Sequence, residues 1–249
     1  MPHFFINSND IKNNQVVISD KKNYNHIARS LRARVGESLL LIDENQIQYE
    51  TVIADITKQY IAAKILKSYK SKRKLTFELY LAQSPLKSDA QSLIIEKACE
   101  LGVTGIYPIY TDNCAVKKSL IDNKIQKWQK IMYEASKQCE RADVPVCFEL
   151  TTIDNLINSG KYTHVMVFCE RIANLTLKDF VLENKNLFNN SKILVIIGPE
   201  GGFSDKEFEF FKTSKIPMLT LGDLILKAET ATIVALGNII YEYINSRKN

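Results

Sequence analysis

Four of the nine glycines in this chain fall between positions 198 and 222. They lie in Ile197-Gly198-Pro199-Glu200-Gly201-Gly202-Phe203 and in Leu221-Gly222-Asp223, and each group follows an apolar run. Glycine at a strand's C-terminal end lets main chain approach a ligand closely and permits positive φ. Open α/β sheets bind their ligands at those ends. Ser204 and Glu207 have capping-box spacing, so a helix starts after the first loop. Neither G-x-x-x-x-G-K-[ST] nor G-x-G-x-x-G occurs, which argues against a pyrophosphate cradle. A ligand read by main-chain groups fits better, such as an adenosine without phosphates. The second loop continues through Leu224-Ile225-Leu226-Lys227-Ala228-Glu229-Thr230-Ala231 into the last helix. There Glu229 and Thr230 either cap free N–H groups or face a substrate.

The elements that must carry these loops alternate. Apolar runs at Leu75–Ala82, Ile106–Tyr110, Val165–Cys169, Ile193–Ile197 and Met218–Leu221 predict strands. Helical spacing appears in Gln91–Leu101, in the series Ile125, Trp128, Met132, Ala135, Cys139, Ala142, and in Ile233, Leu236, Ile240. Strand and helix in alternation imply a parallel sheet covered on both faces. Upstream the pattern differs. Runs at 15–18, 38–42, 49–53 and 59–66 predict a small β-barrel, with one short helix around Tyr24–Leu31. The basic stretch 67–74 marks a boundary between a domain at 1–72 and an α/β domain at 73–249.

Composition narrows the class. A hydrophobic fraction of 45% and a charged fraction of 24% are those of a globular chain. No apolar run reaches the roughly 18 residues of a membrane span, and the N-terminus lacks the pattern of a secretory signal. The five cysteines are widely spaced, without a C-x-x-C. That argues against a zinc or disulfide framework and fits a reducing cytoplasm. No metal and no membrane is expected. Residues 1–74 hold 13 Lys/Arg against 7 Asp/Glu, while 75–249 hold 20 against 21. The basic excess in the first third points to a polyanionic partner or simply to a solvated surface.

The motifs taken together resemble one family. Residues 197–204 followed by 221–231 resemble the RsmE family, ribosomal small-subunit RNA uridine-N3 methyltransferases of the SPOUT superfamily. Glu96–Val103 resembles its E-K-x-x-E-L-G-V segment, Glu134–Arg141 its E-A-x-x-Q-x-x-R segment, and His26–Arg32 its N-terminal H-I-x-x-V-L-R stretch. The matches run in order along nearly the whole chain. Three positions depart: Lys227 stands for a usual Arg, Cys139 for a serine and Ser30 for a valine. Lysine keeps the charge and loses the planar fork.

The resemblance implies a PUA-like β-barrel followed by a SPOUT-type parallel α/β domain with a deep C-terminal trefoil knot. It implies S-adenosylmethionine held by Ile197, Gly198, Pro199, Glu200, Gly201, Gly202, Leu219, Leu221, Gly222, Leu224, Ile225, Leu226, Thr230 and Ala231. It further implies a homodimer acting on N3 of a uridine in 16S rRNA, free or in the small subunit. N3–H must lose its proton before the nitrogen attacks the sulfonium methyl, so charge stabilisation and a base are needed. The candidates are Lys227 for the developing charge, Glu200 as base or as a turn residue, and Glu229 to orient the uracil. His26, Arg29, Arg32, Arg34, Arg73 and Arg141 are candidates for RNA contact. Another SPOUT RNA methyltransferase and an inactive RNA-binding protein are the competing readings.

Overall fold

The structure, a computed structural model, describes residues 1–71, 75–170, 172–173 and 175–247. Two compact units emerge, one of Met1–Lys74 with Ser136–Val144, the other of Leu75–Ala135 with Pro145–Asn249. The sequence had assigned 136–144 to the second domain; the fold gathers it with the first.

In the first unit, strands β1 (His3–Phe5), β2 (Ile11–Lys12), β3 (Gln15–Ile18), β4 (Ser38–Ile42), β5 (Ile47–Ile56) and β6 (Ile61–Lys70) form one sheet in the order β1-β4-β5-β6-β3-β2. Only β1 pairs parallel, with β4. Phe4, Val16, Ile18, Leu39, Leu41, Ile53 and Ile61 bury one face, as period-two alternation requires. The short helix α1 (Lys21–Tyr24) starts where Asp20 Oδ1 accepts from Asn23 N–H at 2.8 Å. It continues into a π-type turn over Asn25–Ser30, where Leu31 N–H reaches back to His26 O at 2.9 Å.

The second unit alternates as predicted: β7 (Glu78–Gln83), α2 (Ser88–Glu100), β8 (Gly105–Pro108), α3 (Lys118–Gln138), β9 (Val146–Cys147), α4 (Ile153–Asn158), β10 (His164–Phe168), β11 (Leu175–Thr176), α5 (Leu177–Glu183), β12 (Lys192–Ile197), α6 (Asp205–Thr213), β13 (Met218–Thr220) and α7 (Ala228–Ser246). All seven strands are parallel, in the order β11-β13-β10-β12-β7-β8-β9. Central β12 is buried from Ile193 to Ile197, the unbroken apolar run expected of a strand covered on both faces. Each such side chain contributes about 1.5–3 kcal/mol of burial. Helix α3 ends at Gln138 rather than at the expected Ala142. Glu140 adopts φ +56, and Arg141 N–H closes on Ser136 O at 3.0 Å, a left-handed stop usually made by glycine.

One connection bears on the site. Strand β13 lies between β10 and β11, pairing Phe168 with Leu219 on one side and Leu175 with Leu219 on the other. Leu219 is thus held from both sides, and the loop leaving Thr220 starts between two strands that precede it in the chain.

Candidate active site

Strands β13, β10 and β12 are neighbours and parallel, so the loops leaving Thr220, Phe168 and Ile197 start from one edge, about 5 Å apart. Leu219, Ile197, Gly198 and Pro199 are buried, whereas Glu200, Gly201 and Gly202 are exposed. Gly202 adopts φ +72 and Gly222 φ +125, with open space where a Cβ would stand at both. Conformation, not crowding, requires glycine there. At Gly201 the reverse holds, since a Cβ would stand 3.1 Å from Asn113 Cβ.

A second layer holds the first loop. Asn113 Nδ2 donates to Gly202 O at 3.1 Å and lies 3.4 Å from Gly201 O. Ser204 Oγ donates to Asp112 Oδ2 at 2.6 Å, and Asp112 N–H donates to Glu207 Oε1 at 3.1 Å. The predicted capping box is formed: Glu207 N–H donates to Ser204 Oγ and Ser204 N–H to Glu207 Oε2. Beneath the loop, Gln83 at the end of β7 is fully buried. Its Nε2 donates to Ser84 O at 3.0 Å and to Gly198 O at 3.1 Å, while its Oε1 accepts from Thr232 Oγ1 at 2.6 Å. Ser84 and Thr111 share a buried hydroxyl pair at 2.7 Å.

The second loop is tied less. Gly222 N–H donates to Thr220 Oγ1 at 3.1 Å, and Leu226 N–H donates to Glu170 Oε1 at 2.6 Å. Leu221 and Leu226 are half-buried, whereas Leu224 and Ile225 are 78% and 67% exposed, which leaves two large apolar side chains against solvent in this loop. Lys227, also exposed, is the N-cap of α7 and makes no side-chain cap bond. Glu229 and Thr230 lie in the first turn beyond it, so neither caps the helix; Ala231 is buried. Cys169 is buried beside Glu170, and burial with that neighbouring carboxylate pushes its thiol up to about 11.

In the first unit, Arg29, Arg32 and Arg34 are exposed, with Arg32 at φ +52. His26 is half-buried, edge-on to Phe4 at 5.3 Å, with its Nδ1 3.2 Å from the Nζ of buried Lys137. An ammonium has no lone pair, so this Nδ1 accepts. Arg141 pairs with Asp143 through two contacts of 3.2 Å. Arg73 lies outside the described residues. No cluster of metal-binding side chains occurs among the described residues.

A family pattern described as an RNA methyltransferase domain matches residues 73–240, two thirds of the chain. The chain belongs to the RNA methyltransferase family. A second pattern, an RNA methyltransferase PUA domain, matches residues 18–66 of this RNA methyltransferase. Its relatives put it in the RsmE branch of the SPOUT superfamily. It is 28% identical to the ribosomal RNA small subunit methyltransferase E of Rickettsia conorii, over 94% of this chain and 93% of that one. To the same-named protein of Mesomycoplasma hyopneumoniae it is 28% identical, over 96% and 99%. Its fold is that of methyltransferase E from Neisseria gonorrhoeae, solved bound to S-adenosyl methionine, with a TM-score of 0.83, 24% identity and 97% and 98% coverage. A Legionella pneumophila protein described as a methyltransferase, solved with SAM, superimposes with a TM-score of 0.83 at 25% identity, over 97% of each chain. The sequence reading singled out both glycine loops and Lys227; it did not single out Gln83, Asn113, Glu170 or Thr232, whose hydrogen bonds hold those segments.

Proposed function

We propose that this methyltransferase transfers a methyl group from S-adenosylmethionine to N3 of a uridine in 16S rRNA. The observation that carries the reading is the ligand edge itself. Loops 197–203 and 219–226 contain no Lys or Arg, and they offer main-chain groups with apolar walls at Leu224 and Ile225. That donor set suits an adenosine without phosphates. The nearest cation in the chain, Lys227, comes at the start of α7, the partially positive end of a helix dipole.

S-adenosylmethionine supplies an electrophilic methyl on a sulfonium sulfur. The chain's residues do the rest. Residues Ile197–Gly202, Leu219, Leu221, Gly222, Leu224–Leu226, Thr230 and Ala231 bind and orient the cofactor. Lys227, with the first N–H groups of α7, stabilises the anion that uridine becomes when N3 loses its proton. Glu200, exposed in the glycine-rich turn, takes that proton. Glu229, in the first turn of α7, orients the uracil edge. Arg29, Arg32 and Arg34 grip phosphates from the first unit. His26 and Arg141 support that surface, the one through Lys137 and the other through Asp143. The first unit, built on the N-terminal strands together with 136–144, serves as the RNA-binding domain and the second as the catalytic one.

We infer a homodimer as the working form. Tyr241 and Ile244 of α7 are 64% and 48% exposed, and Leu182 of α5 is 63% exposed, apolar surface that a second copy would cover. Among the described residues no helix is long and apolar enough to cross a membrane, and the five free thiols suit the cytoplasm.

Calorimetric titration with S-adenosylmethionine, followed by mapping of methylated uridines in small-subunit rRNA, tests the reading. Micromolar or tighter binding and one modified N3 are expected. A folded protein that neither binds the cofactor nor modifies rRNA would overturn it.

A further inference from the structure

Gln83 and Thr232 are both fully buried and are separated by 149 positions. Two carbonyl oxygens, Ser84 O and Gly198 O, face one end of the Gln83 amide at 3.0 and 3.1 Å. Carbonyls need donors, so that end is the nitrogen, and its two protons are both used. The other end is then the oxygen. Thr232 Oγ1 lies 2.6 Å from it and 2.8 Å from Ala228 O. One hydroxyl carries one proton. Ala228 O already receives the helical N–H of Thr232, so the shorter contact, to Gln83, takes the proton.

Both amide protons and the amide oxygen are therefore engaged, and the two ends hold different things. Its nitrogen holds Gly198, the first residue of the glycine-rich loop. Its oxygen holds the second turn of α7 at Thr232, five residues after Lys227 and two after Thr230. Gln83 itself is fixed at the middle of the sheet, in register with Ile197 and Pro108. We propose that Gln83 and Thr232 are positioning residues: through one buried amide they set the glycine-rich loop and the Lys227–Thr230 turn at a fixed separation, so that loop and helix close on one ligand together. This rests on the reading of those two segments as the cofactor and substrate site, and goes beyond it in naming what couples them. A residue that merely filled space would tolerate an apolar replacement of equal shape. A coupler would not, because each replacement strands a buried donor or acceptor on the opposite side.

The test uses the full chain with Gln83→Met, Thr232→Val, Thr232→Ser and the Gln83→Met/Thr232→Val double variant. Hydrogen exchange is measured without ligand, and S-adenosylmethionine affinity by calorimetry. Gln83→Met and Thr232→Val are each expected to speed exchange in both 198–203 and 228–232 and to weaken cofactor binding at least tenfold. The double variant should be little worse than either single one. Thr232→Ser, which keeps the hydroxyl, should restore both readouts. Unchanged exchange in the segment remote from the substitution, or additive losses in the double variant, would overturn the coupling. The exchange measurement decides this even if wild-type protein binds no cofactor, an outcome that would overturn the proposed function alone. Thr232→Val conserves shape, so its melting temperature distinguishes lost coupling from lost folding.

Discussion

Glu170 Oε1 accepts a 2.6 Å hydrogen bond from the backbone N–H of Leu226, joining the segment after β10 to the loop before α7. The contacts between Thr220 and Gly222, by contrast, are made within one turn. Glu170→Ala is expected to loosen residues 221–227 and to weaken S-adenosylmethionine binding about tenfold, the worth of one hydrogen bond to a charged group. Glu170→Gln keeps an acceptor and should lose much less. Calorimetry on both variants checks this, and equal affinities for wild type and Glu170→Ala would contradict it.

Lys227 tests the charge argument. Lys227→Ala should lower kcat about 10²–10³-fold with little change in cofactor affinity, as for removal of one group that stabilises transition-state charge. Lys227→Arg, which restores the residue usual in the resembling family, should keep most of the activity. Single-turnover methylation of small-subunit RNA separates the two. A Lys227→Ala enzyme with unaltered kcat would move the anion site elsewhere.

Arginines 29 and 32 stand exposed on the turn that follows α1. If each neutralises one phosphate, Arg29→Gln/Arg32→Gln should weaken RNA binding at low salt. The slope of log affinity against log salt should also flatten by about 2. An unchanged slope would locate the RNA surface on another face.

His164, at the start of β10, carries a pKa lowered by burial. The unfolded chain titrates near 6.5, so below that pH it binds more protons than the folded one. Stability is therefore expected to fall as pH drops from about 6.5 through the lowered folded value, and to level off beneath it. Melting curves between pH 7 and pH 5 should show this fall, and His164→Gln should shrink it. Burial acts the other way on Cys147, whose thiol is pushed up to about 12, so its share of stability is lost only above pH 9.

What could be read from the chain was local. The Ser204–Glu207 cap and the glycine loops have signals confined to a few neighbouring positions, and the last helix, expected to begin near Glu229 and Thr230, begins at Ala228. The second layer has no such signal. Gln83 meets Gly198 across 115 positions, Asn113 meets Gly202 across 89, and Glu170 meets Leu226 across 56. Nothing in the residue types marks those pairs until the sheet order brings them together. Strands β9 and β11 are two residues each, too short for periodicity to register. The end of α3 escaped because a glutamate, Glu140, takes the left-handed position where glycine is usual.

The seat of β13 between β10 and β11 also governs how the molecule comes into being. Strand β7 finds β12 across more than a hundred residues, and such distant pairings form slowly. Strand β13 must then enter between β10 and β11, both of which precede it in the chain. On the ribosome it is made after the strands that will enclose it. A newly made molecule thus has six of its seven parallel strands before β13 takes its seat, and the edge from which both glycine loops leave is completed last.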